Sequence, residues 1–190
     1  MGEIVLVRHG QTEWSANGRH TSYTDLDLTA TGVAQARAAG ERLRGRTFAA
    51  VFASPRKRAL RTAELAGLAV TETTEDLAEW NYGEYEGITT KNIRKTRPDW
   101  SLWTDGCPGG ESPEQIGERV DRLLDRVRAS LDGGDVAFVA HGHLLRVCGA
   151  RWVGLPPAAG RLLRLDTATV STLGFEHEVD PVIDAWNAPC

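Results

Sequence analysis

Arg8-His9-Gly10, Arg56-Lys57-Arg58 and His141-Gly142-His143 are three places where this sequence sets cations or imidazoles just after a short apolar run. Arginines and histidines brought together from these clusters form a pocket for a compact dianion, because the planar guanidinium fork matches phosphate oxygens. A neutral imidazole can itself attack phosphorus while its second nitrogen is fixed by a backbone carbonyl. With arginines covering the charge, the attack needs no metal, and no cofactor is expected. The departing oxygen still needs a proton, which a carboxylic acid of raised pKa or an imidazolium could give.

For the clusters to meet, they must stand at neighbouring strand ends. Residues 3–7 (EIVLV), 49–53 (AAVFA) and 135–140 (DVAFVA) read as buried strands, with a further candidate at 69–73. A long loop separates the first strand from a helix over 30–44, for which Thr29 is the N-cap. Ser54 and Pro55 suit the N-cap and first turn of a helix running to about Ala66. Ser112-Pro113-Glu114-Gln115 is a capping box opening a helix with the apolar face Ile116, Val120, Leu123, Leu124, Val127 and Leu131. Another helix follows His141 as far as about Val153. The tail carries candidate strands near 161–166, 170–175 and 182–186 with no helix between them. The expected fold is therefore an α/β three-layer sandwich, a mostly parallel central sheet with helices on both faces, in one domain spanning 1–190. Ligands gather at the carboxyl ends of such strands.

Between residues 76 and 110 the pattern is not periodic, and five of the 13 aromatic side chains fall there, from Trp80 to Trp103. They could wall a substrate's organic part or form the core of a lid. The formal charge of −4 leaves no basic field for nucleic acid. The early apolar run is interrupted by Arg8, so no membrane span is expected, and the cytoplasm is the expected compartment. Three cysteines without CxxC spacing point to reduced thiols.

The segment LVRHGQTEW at 6–14 resembles the signature of the histidine phosphatase superfamily, which includes the cofactor-dependent phosphoglycerate mutases. Further blocks are similar in order: GRHTSYTDLDLTATG (18–32), ASPRKRALRTAE (53–64), LAEWNYGEYEG (77–87), PGGES (108–112) and VAHGH (139–143). The resemblance implies a phosphatase that forms a phosphohistidine on His9. Arg8, Arg58 and His141 would bind the transferring phosphoryl group, and Glu79 would be the proton donor. It also implies that Ser15, Thr21, Ser22, Tyr82 and the Gly142 amide line the region of a small phosphorylated substrate. Ser15 stands where many members carry asparagine, and a hydroxyl has shorter reach. The segment 88–110 lacks the adjacent arginine pair that holds glycerate in the mutases. His20 and His143 are expected to bond to nearby backbone.

Overall fold

Ile4, Val5, Leu6 and Val7 have no exposure to solvent, as an uninterrupted apolar strand requires when both faces of its sheet are covered. The computed structural model describes residues 2–190. In chain order the elements are β1 (Ile4–Arg8), α1 (Glu13–Asn17), α2 (Ala30–Arg42), β2 (Ala50–Ala53), α3 (Lys57–Leu65) and β3 (Glu72–Thr73). They continue with α4 (Thr90–Ile93), α5 (Leu102–Asp105), α6 (Pro113–Arg128), β4 (Val136–Ala140), α7 (Gly142–Trp152), β5 (Val170–Glu176) and β6 (Asp180–Ala188).

The six strands are ordered β3-β2-β4-β1-β5-β6. β3, β2, β4 and β1 pair in parallel, while β5 runs antiparallel to both β1 and β6. The fold is thus the expected α/β architecture with a mostly parallel sheet. Side chains alternate along β1: Val5 and Val7 join Ala39, Ala59 and Ala63 from α2 and α3 on one face. Ile4 and Leu6 join the α6 and α7 side chains on the other. On α6, the capping box of Ser112 and Gln115 forms, and Ile116, Val120, Leu123, Leu124 and Val127 are buried. Truncating Leu123 to Ala there would cost about 2–5 kcal/mol.

Four local expectations are corrected. Ser54 does not cap α3: the helix begins at Lys57 with Arg56 as an N-cap that makes no side-chain cap bond, and the Ser54 hydroxyl accepts from the Arg56 amide (3.3 Å) and bonds to His141. Instead of a strand at 161–166, a 3-10 turn occupies Pro157–Leu162 and the chain beyond it is irregular until β5. The candidate at 69–73 shrinks to the two residues of β3. The long loop after β1 contains α1, held by a reciprocal cap in which Thr12 Oγ1 accepts from the Ser15 amide and Ser15 Oγ from the Thr12 amide. A serine thus does what Glu or Gln does in the usual capping box.

Most of the aromatic side chains of the segment 76–110 prove to be core. Trp80, Tyr82, Trp100 and Trp103 are buried and pack with α6 and α7, and the Trp80 and Trp103 rings meet edge to face with centroids 5.6 Å apart. The indole N–H groups of Trp80 and Trp100 donate to the carbonyls of Glu111 and Gly106, which reconciles their polarity with burial.

Candidate active site

Register brings the separated motifs together. Arg8 is paired with Ala140 across β1 and β4, so the next residues, His9 and His141, leave adjacent strand ends side by side. Their ring centroids are 5.2 Å apart. Ala53 is paired with Val139, which places Ser54 at the third neighbouring strand end. Hydrogen bonds from the His9 amide to the Ala140 carbonyl (2.9 Å) and from the Ser54 amide to the Val139 carbonyl (3.0 Å) extend the ladders into the site. At Gly10 the backbone comes close to the start of α2, and a Cβ there would lie 2.4 Å from the Gly32 carbonyl oxygen.

A cavity of about 220 Å³ opens at these strand ends, and Arg8, His9, Ser15, Thr21, Glu79, Tyr82 and Gly142 all line it. His9 Nδ1 is 2.7 Å from the Gly10 carbonyl, to which it donates as a neutral imidazole, leaving the lone pair on Nε2. Burial, and then the positive charges of Arg58 and Arg8, hold the His9 pKa well below the usual histidine range. Arg8 Nη1 donates to the Leu165 carbonyl, but its buried Nε has no partner among the described residues. The Arg8 guanidinium lies against Gly142, where a Cβ would stand 3.2 Å from both Cζ and Nε. Any side chain there would push the guanidinium back from the start of α7 by a few tenths of an ångström.

Glu79 is fixed by backbone donors. Oε1 accepts from the amides of Trp80 and Leu144 (both 2.9 Å), and Oε2 from the amide of His143 (3.1 Å). α7 has no capping bond from its own N-cap residue, His141, so a carboxylate from the aromatic segment satisfies its first amides and meets the positive end of its dipole.

Arg58 and His141 stand behind this wall, both without solvent exposure. Arg58 Nε donates to His141 Nδ1 (3.2 Å), and its Nη1 and Nη2 atoms donate to the carbonyls of Thr24, Thr21 and Ser22 (each 3.1 Å). Four of the five guanidinium donors are used, leaving one on Nη1. The remaining ring nitrogen of His141, Nε2, bonds to Ser54 Oγ (2.7 Å). Ser22 is also behind the wall: its amide donates to the Glu86 carboxylate, and its hydroxyl is buried without a partner among the described residues. The Ser15 hydroxyl donates to the Thr12 carbonyl (3.1 Å), so it reaches the cavity already engaged in its own helix cap. Thr21 Oγ1 donates to the Arg19 carbonyl.

His20 donates through Nδ1 to the Ile88 carbonyl (2.8 Å), as expected of it, while His143 bonds through Nδ1 to the Tyr82 hydroxyl (2.6 Å) and not to backbone. Among the described residues, no group of three or more His, Cys, Asp or Glu side chains is placed to hold a metal ion. Burial pushes the thiols of Cys107 and Cys148 up to about 12, so both stay protonated. No helix among the described residues is long and apolar enough to cross a membrane.

Two features escaped the reading of the sequence: Ser54 as the partner of His141, and Arg146 on the cavity wall. The signal for Arg146 was present, since it lies four residues after Gly142 and so on the same helix face.

The sequence profile of the histidine phosphatase superfamily (branch 1) matches residues 4–189. The chain belongs to that superfamily. It is 48% identical over 178 residues to an acid phosphatase of Mycobacterium tuberculosis, covering 93% of this chain and 88% of that one. It is 37% identical over 182 residues to a sedoheptulose 1,7-bisphosphatase of Saccharomyces cerevisiae, covering 80% and 67% of the two chains. A solved structure of a Mycobacterium tuberculosis open reading frame superposes with a TM-score of 0.96 at 44% identity, covering 99% of this chain and 98% of that one. Membership of the superfamily, with relatives of these activities, makes the protein a phosphatase, and its substrate a small phosphorylated molecule.

Proposed function

We propose that this histidine phosphatase is a metal-independent phosphomonoesterase that works through a phosphohistidine on His9. The observation that carries the reading is the state of His9. Its Nδ1–H is tied to Gly10 and its Nε2 takes no hydrogen bond among the described residues, beside an Arg8 whose Nε is unpaired. A neutral nucleophile and an unsatisfied cation share one cavity wall.

In the proposed cycle, the phosphoryl oxygens bond to Arg8 and the Gly142 amide, with the charge of Arg58 behind them. Positioning and electrostatic stabilisation supply most of the acceleration in phosphoryl transfer. Nε2 of His9 forms a bond to phosphorus as the bond to the ester oxygen breaks, and a proton from Glu79 goes to the departing alcohol. Oε2 of Glu79 accepts a single backbone bond, which leaves it room for that proton. Water then attacks phosphorus, its proton passes to Glu79, and the N–P bond breaks to release phosphate and neutral His9. His141 orients Arg58 in this account, through the bond to Nε.

Hydrolysis is favoured over transfer to a second hydroxyl because Lys91, Arg94, Lys95 and Arg97 are not on the cavity wall. Arg94 is spent on the Trp100 carbonyl and Arg97 on the Tyr85 hydroxyl. The test is phosphate release from nitrophenyl phosphate and metabolite monoesters with EDTA present, alongside acid quenching to trap an acid-labile phosphoprotein. Wild type should release phosphate and show the adduct, and His9→Ala should do neither. Turnover by His9→Ala, or its loss from wild type on chelation, would overturn the proposal.

A further inference from the structure

Glu86 is a carboxylate held by backbone alone. The Ser22 amide donates to both of its oxygens (2.9 Å each) and the Thr24 amide to Oε1 (3.0 Å). No cationic side chain among the described residues lies within ion-pairing distance of it. The loop that Glu86 grips is fastened to the residues that follow it, since the Gly87 amide donates to the His20 carbonyl (2.8 Å) and the His20 amide to the Ile88 carbonyl (3.1 Å).

The other side of this loop meets Arg58. Nη2 donates to the carbonyls of Thr21 and Ser22 and Nη1 to that of Thr24, each at 3.1 Å. Arg58 has no solvent exposure and no carboxylate within ion-pairing distance among the described residues. Burial disfavours its charge, and Glu79, Tyr82, Asp25 and Glu86 are the groups that offset this.

The Thr21 carbonyl and the Ser22 N–H are the two ends of one peptide group. That group is trans, so its ends point in opposite directions, the oxygen to the Arg58 guanidinium and the N–H to the Glu86 carboxylate. Its negative end faces the cation and its positive end the anion. Hydrogen bonds in such a chain polarise one another, and away from water each is stronger.

We propose that Glu86 is a positioning residue for phosphoryl transfer, acting through the 21–24 loop to set the orientation of the Arg58 guanidinium. This rests on Arg58 serving the phosphoryl group, as in the cycle above. His141 fixes the guanidinium at Nε and the loop fixes it at Nη1 and Nη2, so the loop decides where the last open N–H on Nη1 points. Without the charge of Glu86 the Ser22 and Thr24 amides turn toward water, and the carbonyls that hold Arg58 move with them.

The experiment is a double-mutant cycle of Glu86→Gln and Arg58→Met, read by calorimetric binding of inorganic phosphate. Glu86→Gln keeps the size of the side chain and one accepting oxygen but removes the charge. It should weaken phosphate binding about tenfold, the scale of a charge-assisted bond, and Glu86→Asp, which keeps the charge on a shorter stem, should recover part of the loss. In the Arg58→Met background the same substitution should cost less than about twofold, because its effect passes through Arg58. Equal losses in the two backgrounds would reduce Glu86 to holding the fold and overturn the proposal. An Arg58→Met variant with wild-type phosphate affinity would instead overturn the role given to Arg58, and the proposal with it. Solvent exchange of the Arg58 Nε–H, followed by nitrogen-15 NMR, reads the guanidinium without any ligand. It should quicken about tenfold in Glu86→Gln, and an unchanged rate and chemical shift would also overturn the proposal.

Discussion

Arg58 and His141 meet at 3.2 Å, with the guanidinium Nε donating to Nδ1 of the imidazole. That bond fixes the tautomer: the ring proton must be on Nε2, which donates to Ser54 Oγ. Burial, followed by the charge of Arg58 and the nearness of His9, Arg56 and Arg8, keeps the His141 pKa well below its ordinary value, in agreement with a ring that accepts from an arginine. The chain Ser54, His141, Arg58 is thus a line of three buried side chains behind the cavity wall.

Ser54→Ala should loosen that line. It strands a buried imidazole N–H, which costs about 1–3 kcal/mol of stability, and frees the ring to turn away from Arg58. Urea unfolding should register the loss, and kcat should fall about tenfold while Ser54→Thr recovers most of it. An unchanged kcat in a destabilised Ser54→Ala would limit Ser54 to a packing role.

The lowered His9 pKa makes a sign-specific prediction about reactivity. Only the neutral ring attacks an electrophile, and an ordinary histidine of pKa 6.5 loses nearly tenfold in reactivity between about pH 7 and pH 5.5. His9 should lose less than about threefold over that interval. The phosphate-protectable rate of inactivation by diethyl pyrocarbonate measures it, and a midpoint near pH 6.5 would contradict the buried, cation-flanked environment.

Stability should fall in acid for the same reason. His9, His141 and His143 are all held well below 6.5 when folded, burial being the largest cause for each. Below about pH 6.5 the unfolded chain therefore binds protons that the folded protein refuses. Stability is at its full value above that pH and is lost as pH falls toward the lowered folded values, by up to about 1.4 kcal/mol per histidine for each pH unit. Melting curves between about pH 8 and pH 5 should show a falling midpoint, and the fall should be smaller in the His143→Gln variant. A flat midpoint would mean these rings are not buried uncharged.

Glu79→Gln separates acid catalysis from helix capping. The amide oxygen can still accept from Trp80 and Leu144, so the α7 terminus should survive and the melting point should drop by only a few degrees. If Glu79 protonates the leaving group, hydrolysis of sugar phosphates should slow about a hundredfold and that of nitrophenyl phosphate less than tenfold, since nitrophenolate departs without a proton. Equal losses on both substrates would remove Glu79 as the acid.

Much of this protein was legible along the chain. β1 and β4 could be read because strands covered on both faces must be apolar throughout, and α6 because its capping box and 3.6-residue stripe are local features. The motifs at His9, Arg58 and His141 pointed to phosphate chemistry through their residue types together with an order along the chain that resembles the superfamily's. The aromatic segment 76–110 was harder, since its burial depends on α6 and α7, which lie after it in sequence. The tail was misread at 161–166 because Leu162, Leu163 and Leu165 suit a strand by composition, while a 3-10 turn takes Leu162 and leaves the side chain exposed.

Tertiary structure alone decided how the groups divide the work. The sequence specifies that arginine, histidine and glutamate are present, because side-chain chemistry belongs to each residue. It does not specify which nitrogen is spent. That Glu79 caps α7, that Ser54 holds His141 rather than α3, and that Glu86 takes the amides of Ser22 and Thr24 are consequences of register and packing between segments up to 87 residues apart in the chain. Hydrogen-bond directions are fixed by distance and angle in space, and a one-dimensional pattern does not encode either.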